Sequence, residues 1–171
     1  MDFKHSDSRL GFVFHFECIS PTGEVLWTAR EENIIPDEGR DYILNAALNA
    51  GAQFSTWYIG LYEGSYAPQA SDTMALFPSS GVANEILTYS EANRVALVDE
   101  PLSGGLFANS VTMADFTFTA NKTVRGGFIS SGATKGGTTG VLLSAVQSSS
   151  PKIVASGEIL RVVAGLSLVT V

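Results

Sequence analysis

The chain has 171 residues, 45% hydrophobic and 16% charged, with a formal net charge of −7. That length fits one domain whose core needs no disulfide or metal, and the low charge excludes a disordered chain. The ten Lys and Arg are scattered through an acidic sequence, which speaks against a nucleic-acid binder with its basic stripe.

Met1 to Leu10 is polar and lacks the apolar run of a secretion signal. It is expected to be an N-terminal arm (1–10) that a partner pins, preceding a single domain over 11–171. From Gly11 to Cys18, Phe12, Phe14, Phe16 and Cys18 alternate with Val13, His15 and Glu17, the period-two pattern of a half-buried strand. Ser20-Pro21-Thr22-Gly23 is turn chemistry. Glu24 to Arg30 alternates again with Val25, Trp27 and Ala29 on one face, so the two runs predict a hairpin. Asp37 to Ala50 predicts the one helix. Asp37 is its expected N-cap, Ile43, Ala46, Ala47 and Ala50 its apolar face, and Gly51 its C′ residue.

Thr56 to Tyr62 predicts a strand with Trp57, Ile59 and Leu61 on one face and Tyr58, Gly60 and Tyr62 on the other. Glu63 to Ser80, with Pro68 and Pro78, reads as a long loop of the kind that is often functional. Glu85 to Tyr89 and Arg94 to Val98 are weaker strand patterns, and Pro101 to Ser110 a second loop. Ala114 to Thr119 and Thr123 to Ser130 are strands joined at an Asn121-Lys122 turn. Ser130 to Gly140, rich in Gly, Ser and Thr, predicts a flexible hairpin loop. Val141 to Val146, Lys152 to Ala155 and Glu158 to Val169 complete the strands. The last has apolar residues on both faces, which places it centrally or leaves a face to dock on another chain. The expected fold is mainly β, an antiparallel β-sandwich (jelly-roll-like) with one short α-helix near 37–50. No stretch approaches the roughly 20 apolar residues of a membrane helix.

The search for chemistry finds structural explanations. Cys18 is the single cysteine, so no intramolecular disulfide forms, and no basic neighbour stabilises its thiolate. His5 and His15 with one cysteine cannot build a thiolate zinc site. Asp37, Glu38 and Asp41, with Glu31 and Glu32 before them, lack the alternation of a calcium loop and read as helix capping and a solvated face. Gly132 to Gly140 superficially resembles a phosphate loop, but Lys135 precedes the glycines and a β-rich segment follows. There is no Gly-x-Ser-x-Gly elbow. The expectation is therefore a protein without catalytic, cofactor or metal residues, and not an enzyme. Trp57, Tyr58, Tyr62 and Tyr66 form the one aromatic group that could line a carbohydrate or protein contact, with Trp57 assigned to the core.

Several segments carry a resemblance when taken in order. They are Thr56-Trp57-Tyr58-Ile59-Gly60-Leu61-Tyr62, the run Pro68 to Ala75, Tyr89-Ser90-Glu91-Ala92-Asn93-Arg94, and Ala114 to Thr119. Val124-Arg125-Gly126-Gly127-Phe128-Ile129 and Thr134-Lys135-Gly136-Gly137-Thr138-Thr139-Gly140 follow. Together they resemble a family of small tailed-bacteriophage virion structural proteins. Those proteins also open with a strand pair and an Asn-to-Gly step into a helix, here Asn33 and Gly39. The similarity spans most of residues 11 to 169. It implies a structural role without catalytic residues. One form is a capsid decoration (cement) protein that binds the major capsid protein as a dimer or trimer and stabilises the head. It would be made in the host bacterial cytoplasm and sit on the capsid surface, with no nucleic-acid or membrane partner. The other is a tail or tail-fibre-associated adhesion module that binds host surface glycan. The lack of a fibrous repeat or coiled-coil stretch favours decoration. The candidate partner contacts are Phe3, Lys4, Arg9, Tyr62, Tyr66, Lys135, Val169 and Val171.

Overall fold

A computed structural model describes residues 11–101 and 104–167. The expected arm with Phe3, Lys4 and Arg9, and the contacts Val169 and Val171, lie outside the described residues. In chain order the elements are β1 (Phe12–Ile19), β2 (Val25–Glu32), α1 (Asp37–Leu48), β3 (Trp57–Tyr62), a 3₁₀ turn (Met74–Leu76), β4 (Val95–Leu97), β5 (Leu106–Ala108), β6 (Ala114–Thr117), β7 (Lys122–Ser130), β8 (Leu142–Val154) and β9 (Ile159–Ser167). They form an antiparallel β-sandwich. One sheet has the order β2-β1-β9, with β5 and β6 sharing the far edge of β9; the other has the order β4-β3-β7-β8. β9 is central in its sheet, with Leu160, Val162 and Ala164 buried on its inner face and Val163 half-buried on its outer face.

The core lies between the sheets and follows the alternation read from the sequence. Phe12, Phe14, Phe16 and Cys18 are buried, while His15 on the opposite face is exposed. They pack with Leu160, Val162 and Ala164 from β9 and with Ile59, Leu61, Ile129, Leu143 and Val146 from the second sheet. Each of the Phe, Leu, Ile and Val side chains contributes about 1.5–3 kcal/mol on burial.

A second core sits on the outer face of the β3-β7-β8 sheet. Gly60 lies opposite Phe128, and Gly126 opposite Tyr62, in the β3–β7 register. Each glycine leaves room for the ring across from it, since a Cβ at either position would run into that ring. Phe77 from the 63–85 segment closes over both rings, with centroids 4.9 Å from Phe128 and 5.7 Å from Tyr62. Met74, Ala83, Leu142 and Ala145 complete the cluster. The long loop predicted from Glu63 to Ser80 is thus a packed cover carrying a 3₁₀ turn.

Five expectations about the elements need correction. Glu85 to Tyr89, read as a weak strand, forms only single bridges, Glu85 to Tyr62 and Tyr89 to Phe118. Pro36, not Asp37, occupies the N-cap of α1, with φ −61° and no side-chain cap. Asp37 has turned instead to Arg40, and its N–H donates to the Ala70 carbonyl at 2.8 Å. At the other end α1 stops at Leu48, and Ala50, at φ 52°, takes the left-handed position expected of Gly51. The 101–110 loop contains β5, a three-residue strand too short to show a period. Val141–Val146 and Lys152–Ala155 belong to one strand, β8. Its register to β7 slips between Gln147 and Lys152, and Pro151, which has no N–H to donate, falls in that slip.

Candidate functional site

The two sheets differ in how their outer faces are finished. That of the second sheet is sealed by the 63–85 cover. That of the first is formed by His15, Glu17, Thr28, Arg30, Arg161 and Val163, which the registers β1–β2 and β1–β9 bring side by side. A groove of about 420 Å³ runs across it, with Met113 on its rim. The floor is held by one guanidinium. Arg161 donates to both oxygens of Asp115, at 2.8 and 2.9 Å, and its Nη1 stands 3.5 Å from Glu17 Oε1. The Asp115 bond is the main reason the Arg161 guanidinium is held above its ordinary pKa. Beside this fixed pair lie the 41%-exposed Met113 and the half-buried Val163. The face therefore offers apolar contact and pre-oriented charge together.

A different constellation fixes the glycine-rich hairpin. Arg94 and Glu85 form a buried, two-pronged ion pair, Nε to Oε1 and Nη2 to Oε2 both at 2.8 Å, with side chains 0% and 1% exposed. Arg94 also donates to the carbonyls of Gly132 at 2.9 Å and Gly137 at 2.8 Å, while the Gly136 N–H donates to Glu85 at 2.9 Å. Lys135 donates to the Tyr89 carbonyl at 2.7 Å, and its ammonium lies 3.6 Å from the Tyr89 ring centroid. The loop expected to be flexible is clasped at both charges. The Gly136 N–H and the Gly132 and Gly137 carbonyls are turned inward to this pair.

The predicted contact residues disperse. Tyr62 is a correction: it is 0% exposed, and its hydroxyl donates to the Val146 carbonyl at 2.9 Å, because the cover has buried the face expected to be open. Burial raises its pKa above the ordinary tyrosine value. Tyr66 is half-buried against Phe77 and donates to Asp72 at 2.6 Å. Lys135 is half-buried in the clasp. Trp57 packs edge-on to Tyr42 and Phe54. Cys18 is buried and donates to Glu158 at 3.3 Å; burial first, and the Glu158 contact second, push its pKa up to about 12. Glu38, read as part of a solvated acidic face, instead accepts from the backbone of Met74 and Leu142 at 3.2 and 2.7 Å and so ties the cover to β8. Among the described residues there is no group of three or more His, Cys, Asp and Glu arranged to hold a metal ion, and no helix long and apolar enough to cross a membrane.

Sequence reading missed Asn109. It is fully buried where β5 ends and β6 has not begun. There its carboxamide accepts from the Ala164 N–H at 2.7 Å and donates to the Val162 carbonyl at 3.1 Å, replacing the absent strand along β9. A lone Asn in a loop gives no period by which to find it. None of the protein-family models compared with the chain matches it, and no curated protein matches it either.

Proposed function

We propose that the chain is a structural protein of a tailed-phage virion, a capsid decoration protein that docks on the major capsid protein through the open face of its first sheet. The observation that carries this reading is the asymmetry of the sandwich. One outer face is sealed by the protein's own cover, and the other keeps apolar side chains and a fixed Arg161–Asp115–Glu17 network at the surface. That mixture is the composition of a protein–protein contact rather than of a catalytic cleft. The resemblance in the ordered segments supplies the virion context. A contact of about 1,600 Å² in total suffices for specific docking, and repetition over a dimer or trimer and over the lattice multiplies it. Bridging neighbouring capsid subunits would resist outward pressure on the shell.

The glycan-binding alternative drew on Trp57, Tyr58, Tyr62 and Tyr66, and three of these four rings pack against other parts of the chain. Tyr62 is in the core, Tyr66 packs on Phe77, and Trp57 packs edge-on to Tyr42 and Phe54, whose rings stack at 5.2 Å.

The test uses particles lacking the protein. They should lose DNA at lower temperature than complete particles and recover when purified protein is added back. Val163→Glu, on the open face, should melt like the wild type yet fail to rebind. Equal heat resistance with and without the protein, or labelling that places it on the tail, overturns the reading.

A further inference from the structure

The two ends of the cover segment meet at one carboxylate. The Glu63 N–H, just after β3, donates to the Asn84 carbonyl at 3.1 Å. Glu63 Oε1 then accepts from two side chains at once, Lys122 Nζ at 2.8 Å and Asn84 Nδ2 at 3.1 Å. Lys122 opens β7. Asn84 is one of two non-glycine residues with positive φ (56°) among those described, and its N–H is held by the Ser79 carbonyl at 2.9 Å. Its carboxamide is thus presented from a fixed backbone. The Lys122 and Glu63 side chains are 25% and 24% exposed, so both sit largely within the protein.

An ion pair alone needs no carboxamide on the same oxygen. Here an amine nucleophile, a base and an amide with its nitrogen turned toward that base stand within hydrogen-bond reach of one atom. We propose that Lys122 and Asn84 condense into an intramolecular isopeptide bond, with Glu63 as the proton shuttle. Glu63 takes a proton from the Lys122 ammonium, and the neutral amine attacks Asn84 Cγ. Glu63 delivers that first proton to Nδ2, the old C–N bond breaks, and ammonia leaves. Once Glu63 has passed the first proton on, its freed carboxylate takes the second proton from Nζ, and that proton leaves with the departing ammonia as ammonium. An ammonium and a primary amide become a secondary amide and an ammonium ion, with no oxidant and no cofactor. Fixed proximity is what makes so poor an electrophile reactive. The product closes the 63–85 cover covalently onto β7, across the outer core of Tyr62, Phe77 and Phe128, and constrains the unfolded chain as a cross-link does.

The experiment is the intact mass of the purified full-length chain, followed by tandem mass spectrometry of its peptides. The wild type should be lighter than its sequence by one ammonia and yield a branched peptide joining Asn84 to Lys122. Lys122→Arg and Glu63→Gln should restore the full mass, and Asn84→Asp should lose one water instead. Cyclisation of Asn84 onto its own backbone also expels ammonia, but it survives Lys122→Arg and gives no branched peptide. That result overturns the proposal, as does a wild-type chain that keeps its full sequence mass after prolonged incubation, folded, near neutral pH. The wild-type mass decides even if a variant fails to fold.

Discussion

Replacing Arg94 with Met keeps much of the side-chain volume and removes the guanidinium donors of the clasp. Glu85 is left buried with the Gly136 N–H as its remaining partner, and the Gly132 and Gly137 carbonyls lose Arg94. Removing one member of a buried ion pair costs about 3–5 kcal/mol, chiefly because the other charge stays desolvated. The two carbonyls add little, since the loop can open and rehydrate them. For a chain of this size each kcal/mol lowers Tm by about 2–4 °C, so Arg94→Met should melt about 6–20 °C lower. Glu85→Gln should cost less, about 2 kcal/mol, because Arg94 keeps both glycine carbonyls and a neutral acceptor. The double variant should be more stable than Arg94→Met alone, as it leaves no unpaired charge. Urea or thermal unfolding of the four proteins measures the cycle, and hydrogen exchange at the Gly136 and Gly137 amides reports the loop. An Arg94→Met cost below about 1 kcal/mol, or a double variant as unstable as the sum of the singles, would refute the reasoning.

Three further outcomes follow from the same packing. Asn109→Ala leaves the Ala164 N–H and the Val162 carbonyl unpaired and should cost about 2–4 kcal/mol in chemical denaturation, with no compensating strand on that edge. Gly60→Ala drives a methyl into the Phe128 ring and should cost about 1–3 kcal/mol or more, whereas Gly81→Ala, with open space around its Cβ, should change stability by less than about 0.5 kcal/mol. Alkaline pH should destabilise the fold. Cys18 and Tyr66 have folded pKa values of about 12 against ordinary values of 9.0 and 10.0. Between those limits the unfolded chain binds fewer protons than the folded one, so stability falls as pH rises. It is fully present below about pH 9 and declines toward pH 12; melts in Cys18→Ala should lose the earliest part of that decline, and identical pH profiles would contradict the assignment.

What the sequence makes legible is what repeats. The Phe12–Cys18 alternation places its core face correctly, because period two and burial are the same fact in a half-buried strand. Tyr62 defeats that reasoning. Its alternation correctly puts it opposite Ile59 and Leu61, but period two cannot say whether a distant segment will cover the second face. That depends on Phe77 and Met74, whose run contains no period at all. Glycine composition misleads in the same way. Ser130 to Gly140 reads as mobile because glycine frees the backbone, yet the same lack of side chains lets Arg94 and Glu85 reach its carbonyl and N–H groups. Asn109 and Arg161–Asp115 are long-range polar pairings, and such pairings leave no local pattern.

This distinction bears on how the resemblance supports a function. Its segments converge in space on fold-holding contacts. Tyr89 and Arg94 meet Lys135, Gly136 and Gly137 in the clasp. Glu91 accepts from the Thr117 N–H at 3.2 Å, and Gly126 and Phe128 complete the outer core with Gly60 and Tyr62. Residues so engaged specify a scaffold and can recur wherever the scaffold is used. The open face contributes little to that list: of its residues Asp115 alone falls in one of the segments. If the open face docks as proposed, partner choice resides in its surface side chains, His15, Arg30, Met113 and Val163 among them. Exchanging these for the equivalent residues of another scaffold of this kind should transfer binding to that protein's lattice at unchanged Tm. Exchanging the Tyr89–Arg94 segment should alter stability and leave lattice preference as it was. Co-sedimentation with the two kinds of particle, read beside thermal melts, separates these outcomes; lattice preference that follows the clasp instead of the face would refute the assignment of the face.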